Sequence, residues 1–167
     1  MRKVFSMGII SALLAFSCKT MNTSASSAGS AKSSQSNRVN FHKLKGTWQI
    51  TSVDYGKDFK VKPFDEGADA QCFVGSEWKL VPNNYSGSYS LNGVGDCPAV
   101  FQPIKFEVVN GSEFKFKKIA TGTKAKQNLV GYSLSLSGQS DASFSLVQNV
   151  TSNAGNVRII YNFARIK

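Results

Sequence analysis

From Lys45 to the end of the chain, apolar and polar residues alternate with period two, and Gly, Asn and Ser turns interrupt the alternation at short intervals. Trp48 and Ile50 begin the pattern, Ile159, Tyr161 and Phe163 close it, and no window between them carries a sustained apolar stripe at 3.6-residue spacing. Side chains of an extended strand point to opposite faces in turn, so the pattern describes strands with one face in a core and the other in water. Short strands without long helices imply an antiparallel sandwich or barrel. At 167 residues the chain is long enough for one domain with a substantial core and too short for two large ones. Its 41% hydrophobic and 18% charged residues exclude a disordered or coiled-coil chain.

Eight strands fit the alternation, over 46–54, 76–82, 87–92, 103–109, 112–119, 128–137, 142–150 and 156–166. Eight strands close a small barrel and leave no sheet edge unpaired. The expected fold is therefore all-β, an eight-stranded antiparallel up-and-down barrel.

Three hairpins have a register that the sequence can address. A turn at Asn83-Asn84-Tyr85-Ser86 places Trp78 opposite Leu91 and Leu80 opposite Tyr89, all on one face. Around Asn110-Gly111 a two-residue turn would set Phe114 against Glu107 and Phe116 against Lys105. A three-residue loop, Val109-Asn110-Gly111, instead puts Ile104, Phe106, Val108, Phe114 and Phe116 on one face, with Gly111 left-handed. A one-residue slip turns every side chain over, so the apolar pattern selects the longer loop. The last hairpin turns at 151–156 and brings Phe144, Leu146 and Val150 against Phe163, Tyr161 and Val157.

Before the barrel lies a different kind of sequence. Arg2 and Lys3 precede an uncharged, mostly apolar run from Val4 to Phe16. That run is too short for a membrane-spanning helix, which needs about 20 residues, and it has the order of an export signal. It ends at Leu14-Ala15-Phe16-Ser17-Cys18, which resembles the lipobox of bacterial lipoproteins. The resemblance implies cleavage after residue 17 and acylation of Cys18, with palmitate among the chains, and so a lipid anchor. Ser17 and Cys18 match the motif, whereas Ala15 and Phe16 depart from it; an ordinary secretory signal is the other reading. Residues 18–40 are rich in serine, contain no acid, and are expected to form a flexible linker. Lys19, Lys32 and Arg38 make that linker basic, suited either to anionic head groups or to simple solvation.

Once Cys18 is assigned to the anchor, Cys72 and Cys97 remain as an even pair in an exported protein, where disulfides persist. The register of the first hairpin, carried past its strand ends, sets them opposite one another. They are expected to be joined.

Gly46-Thr47-Trp48 opens the first strand and Arg165 stands near the end of the last. Together with eight strands and the lipoprotein leader, these residues resemble the bacterial lipocalin-like lipoproteins over 41–167. In lipocalins a Gly-x-Trp motif begins the barrel, its Trp plugs the closed end, and an Arg from the final strand lies across the ring. The resemblance implies that Gly46, Trp48 and Arg165 close the barrel, with Arg165 on the indole of Trp48. It also implies binding of a small hydrophobic or amphipathic molecule in the cell envelope, on the outer membrane. No middle motif with a Thr-Asp pair is present, and the stretch from Gly56 to Gly75 is long enough to be a lid or an irregular loop.

The proposed inner face is strongly aromatic. Trp78, Tyr89, Phe106, Phe116, Tyr132, Phe144 and Tyr161 are the candidate pocket residues, the tyrosines being the orienting groups because each joins an apolar ring to a hydroxyl. An eight-stranded barrel either fills with side chains or holds one small ligand. So many rings favour filling, and an apolar pocket is the other outcome. A protein-interaction module with a solid core is the corresponding alternative function.

Other chemistry finds little in the chain. His42, the single histidine, precedes the first strand and fits a surface position better than a catalytic one; no nucleophile elbow, zinc-protease motif or phosphate loop occurs. Asp65, Glu66 and Asp69 are the one acidic cluster, and they lack the glycine and final Glu of a calcium loop. No cofactor, no metal and no catalysis are expected. The chain from Phe41 onward holds 15 basic and 10 acidic residues. Lys115, Lys117 and Lys118 beside Phe114 and Phe116 are expected to face water, as solubilising residues and not as a nucleic-acid surface. A monomer is expected.

Overall fold

A computed structural model describes residues 27–56, 60–120, 122–127, 130–152 and 155–167. Eight antiparallel strands follow one another around a closed barrel: β1 (Gly46–Asp54), β2 (Glu77–Val81), β3 (Ser86–Asn92), β4 (Ala99–Val109), β5 (Glu113–Lys118), β6 (Tyr132–Ser137), β7 (Ser143–Ser152) and β8 (Gly155–Arg165). Each strand pairs with the next, and β8 returns to pair with β1. Closure leaves no sheet edge exposed.

The alternation sorts side chains as expected. Trp48, Ile50, Trp78, Leu80, Tyr89, Leu91, Ile104, Phe106, Phe114, Phe116, Leu134, Phe144, Leu146, Ile159, Tyr161 and Phe163 are all buried, and Tyr132 packs against them half-buried. A bulge at Thr51 shifts the β1–β8 register by one residue. Beyond it the inward parity changes, so Val53 joins the core after Trp48 and Ile50.

The last hairpin has the expected register, with Phe144 opposite Phe163, Leu146 opposite Tyr161 and Val150 opposite Val157. The first does not. Trp78 lies opposite Tyr89 and Leu80 opposite Gly87, a shift of two residues, because Pro82–Asn84 form a 3-10 turn and Tyr85 takes the left-handed conformation that closes it. A two-residue shift leaves every side chain on its expected face. The second hairpin keeps a three-residue loop, but the loop is Asn110-Gly111-Ser112, with Val108 opposite Phe114 and Phe106 opposite Phe116. Gly111 is left-handed there, at φ 72°. Strand β4 begins at Ala99, four residues earlier than expected, and runs through Pro103. The Pro103 carbonyl accepts from Ile119 N on the β5 side, so the missing N–H also points away from the β3 ladder and removes no bond from it.

Before β1 the structure places a helix, α1 (Ser27–Lys43), where the sequence leads one to expect flexible linker as far as residue 40. Its C-terminal part docks on the barrel. The Phe41 ring lies 5.4 Å from Tyr85 and 5.6 Å from Phe106, Leu44 is fully buried, and Gln139 donates to the Asn40 carbonyl at 2.6 Å. Tertiary packing therefore supplies what serine-rich composition does not. Residues 18–26 lie outside the described residues, as does the leader 1–17.

Candidate functional site

One end of the barrel is plugged by its own strands, and the other is left open by them and filled by a connecting segment. At the end where β1 begins, Trp48 donates its indole N–H to the Leu44 carbonyl at 2.8 Å, and Arg165 Cζ sits 4.1 Å from the centre of the Trp48 ring. Arg165 also donates to the carbonyls of Lys43 at 2.8 Å and Lys45 at 2.6 Å. A cation at the C-terminus of a helix meets carbonyls with no partner within that helix, so one guanidinium holds the barrel plug and the end of α1 together. Gly46 makes the arrangement possible. At φ 141° it lies where side chains are rarely tolerated, and a Cβ there would stand 2.3 Å from Arg165 Nη1.

Above this plug the rings run on in contact. Phe144 stands edge-on to Trp48, Phe163 stacks on Phe144 at 4.4 Å, Trp78 stands edge-on to Phe163, and Tyr89 stacks on Trp78 at 4.7 Å. Phe106 stacks on Phe114 at 5.3 Å near Phe41. Of the candidate pocket residues, Phe106 and Phe144 thus belong to the closed end and Trp78 to the middle of the filled interior.

The other end is covered by the connection between β1 and β2, the long stretch read from the sequence as a lid or an irregular loop. Pro63–Asp65 form a short 3-10 turn and Ala70–Phe73 another. Phe64 and Phe73 enter the barrel mouth and are 3% and 0% exposed. The Phe64 ring is 5.1 Å from Phe116, 5.4 Å from Tyr132, 5.5 Å from Tyr161 and 5.4 Å from Phe73. Three of the expected pocket residues therefore meet around a ring that comes from no barrel strand. The fourth, Tyr89, reaches the same cap through its hydroxyl, which donates to Glu66.

Polar groups organise this mouth. Lys118 continues the inward face of Phe114 and Phe116 and lies opposite Ile104, so the expectation that it faces water is corrected. Its ammonium lies 2.8 Å from Glu66 Oε1 and donates to the Phe64 carbonyl at 3.0 Å. The Glu66 side chain is only 8% exposed. Gln148, also on the inward parity of β7, accepts from the Tyr161 hydroxyl at 3.1 Å. Outside these, Asp69 accepts from the Tyr55 hydroxyl at 2.7 Å and from Gln71 N at 3.0 Å. Burial, and then the Asp69 carboxylate, push the Tyr55 phenol up to about 12. Burial first, and next the hydrogen bond and charge of Glu66, hold the Tyr89 phenol well above its ordinary range. Burial raises Tyr161 likewise, with the charge that Tyr55 acquires once it ionises and the Asp69 carboxylate adding to it. These hydroxyls stay protonated and act as neutral donors.

The cap is anchored covalently. Cys72 in the second turn is bonded to Cys97 before β4, with Cα atoms 5.4 Å apart. The expected pairing is present, although the first hairpin's ladder, two residues out of the expected register, does not itself align the two. Closing a loop of this length stabilises by about 3 kcal/mol in the chain-entropy account.

Among the described residues, no group of three or more His, Cys, Asp and Glu side chains is placed to hold a metal ion. Glu66 and Asp69 are engaged as above, and His42 is exposed beside Phe41. On the outer face of β4, β5 and β6, Lys105, Glu107, Lys115 and Lys117 border a solvent-open groove of about 450 Å³. Cys18 lies outside the described residues. Phe64 and Lys118 were missed by sequence reasoning for different reasons. Lys118 shares the period-two parity of Phe114 and Phe116, a signal present in the chain. For Phe64 the signal is weaker, a large ring in a connection without strand alternation, which must find a core to enter. Comparison with known proteins finds no family model that matches the chain and no matching curated protein.

Proposed function

We propose that the protein is a membrane-tethered, lipocalin-like lipoprotein of the bacterial cell envelope that binds a small hydrophobic or amphipathic molecule at the open end of its barrel and carries out no chemistry on it. The tether rests on the leader and on Cys18. The binding role rests on one observation: the ring that fills the barrel mouth is Phe64, from a connecting segment, and the strands alone leave that position vacant. A filler held by a loop can leave, whereas one held by a barrel strand cannot. Phe116, Tyr132 and Tyr161 would then line an apolar site with hydroxyls at its rim, the composition expected of a small-molecule pocket.

Native extraction followed by mass spectrometry, together with thermal shifts across a panel of lipids and small amphiphiles, tests the reading. A co-purifying small molecule, or a ligand that raises the melting temperature, supports it; a bare protein insensitive to the whole panel contradicts it. Cys18→Ser should abolish metabolic labelling with palmitate and release the protein from membranes.

A second reading, an envelope protein-interaction module with a solid core, is favoured by a different observation. Val74, Val94 and Phe101 are exposed at 43%, 74% and 72% on or beside the loops that the disulfide joins. A stoichiometric protein partner recovered from envelope extracts and lost on Phe101→Ser would support that reading instead.

A further inference from the structure

The segment that fills the barrel mouth has the composition of a ligand. Phe64 puts an aromatic ring against Phe116, Tyr132 and Tyr161, and two residues later Glu66 gives a carboxylate to Lys118 and Tyr89. We propose that residues 64–66 are the resident occupant of a site that takes a short aromatic or aliphatic carboxylate, which replaces the ring and the carboxylate together. This rests on the reading above that the open end receives a small molecule.

The head group follows from what displacement would uncover. If Glu66 leaves, the Lys118 ammonium and the Tyr89 hydroxyl lose their shared acceptor in a place where Tyr89 is 1% exposed and the Lys118 side chain 23%. A buried donor left unpaired carries its full desolvation penalty, and a buried charge a larger one. Lys118 also loses the Phe64 carbonyl. A ligand carboxylate restores these contacts with two oxygens, a neutral alcohol leaves the charge uncompensated, and an amine adds a like charge.

Size follows from the packing beneath. Trp78 lies edge-on to Phe116 and Phe163, and Phe163 stacks on Phe144 above Trp48, so strand residues fill the barrel below the depth of one ring. A benzene ring or a chain of comparable length fits where Phe64 sits, and a long acyl chain does not.

Release is local. Phe64 is left-handed, at φ 58° and ψ 25°, a conformation that an aromatic residue seldom adopts without being held. Ala70 N donates to the Val61 carbonyl at 2.8 Å, closing the short loop that carries residues 64–66, and the Cys72–Cys97 bond secures the chain behind it. The occupant can therefore swing out while its base stays fixed.

Calorimetric titration of the full chain with 3-phenylpropionate, 3-phenyl-1-propanol, 3-phenylpropylamine and palmitate tests this. The acid should bind at least tenfold more tightly than the alcohol, the amine or palmitate. Glu66→Gln, which removes the internal charge and keeps the ring, should tighten the acid at least tenfold and should also tighten the alcohol, because neither then displaces an ion pair, while the acid keeps its advantage through Lys118. Lys118→Met should erase the difference between acid and alcohol. Phe64→Ala should tighten the acid further, and Glu66→Gln keeps the test valid if that variant does not fold. Equal or tighter binding of the alcohol or of palmitate overturns the carboxylate assignment and leaves open-end binding standing. No binding of any probe to the wild type or to folded Glu66→Gln overturns both.

Discussion

Arg165 lies across the indole of Trp48, with Cζ 4.1 Å from the ring centre, and the same guanidinium donates to the carbonyls of Lys43 and Lys45. The last strand is thereby bonded both to the first strand and to the helix before it. Arg165→Met removes the cation–π contact, these two hydrogen bonds and a third from Nε to the Asp141 carbonyl, and should cost about 1–3 kcal/mol, read from urea denaturation. Arg165→Lys should recover less than half of that, because an ammonium lacks the planar fork that reaches two carbonyls while covering a ring.

Gly46 is the position least tolerant of a side chain. Its φ of 141° excludes other residues without strain, and an added Cβ would stand 2.3 Å from Arg165 Nη1 and 2.7 Å from the Lys167 carbonyl. Gly46→Ala should destabilise by at least about 2 kcal/mol. In combination with Arg165→Met its effect should shrink, since part of the clash then disappears. A double-mutant cycle measures that coupling.

Reduction of the Cys72–Cys97 bond should lower stability by about 3 kcal/mol. It should also act unevenly. Limited proteolysis after reduction is expected to cut first in the cap between Val61 and Phe73, before any barrel strand, because the disulfide joins the cap to the loop ahead of β4. Simultaneous loss of all strands would contradict a separately mobile cap.

Stability should fall on the alkaline side. Tyr55 is pushed up to about 12 by burial and by Asp69, and Tyr89 and Tyr161 are raised further by burial. The unfolded chain releases these protons near pH 10, about the ordinary tyrosine value, while the folded chain retains them. Stability is therefore complete below pH 10 and is lost progressively as the pH rises to 12 and above. Urea midpoints from pH 9 to 12 measure the slope, and Tyr89→Phe should make it shallower.

Much of the barrel was legible because parity is a strong signal. Trp48, Trp78, Phe114 and Phe116 declare their inward face through neighbours that are polar, and a two-residue error in register at Trp78–Tyr89 leaves that face unchanged. Exact registers were less legible because they depend on turn geometry. Pro82 rather than Asn83 begins the first turn, and Tyr85 accepts a left-handed backbone that sequence would assign to Asn or Gly. The bulge at Thr51 has no mark in the sequence, and its consequence is the burial of Val53.

Helix α1 and the cap were illegible for a common reason. Both are held by tertiary contacts: Phe41 and Leu44 by the barrel's closed end, Phe64 and Phe73 by its open end. Neither segment has a periodicity of its own that announces its structure. The candidate site was consequently half visible. Phe116, Tyr132, Tyr161 and Tyr89 were expected in it, while the ring and carboxylate that occupy it, Phe64 and Glu66, come from a segment with no strand pattern.

Hydrogen exchange of the cap, with and without bound 3-phenylpropionate, tests the exchange of occupants most directly. Binding should lower protection between residues 61 and 69 while the barrel strands remain protected, because the ligand expels Phe64 and Glu66. Unchanged or increased protection of that segment in the ligand-saturated protein would contradict the account.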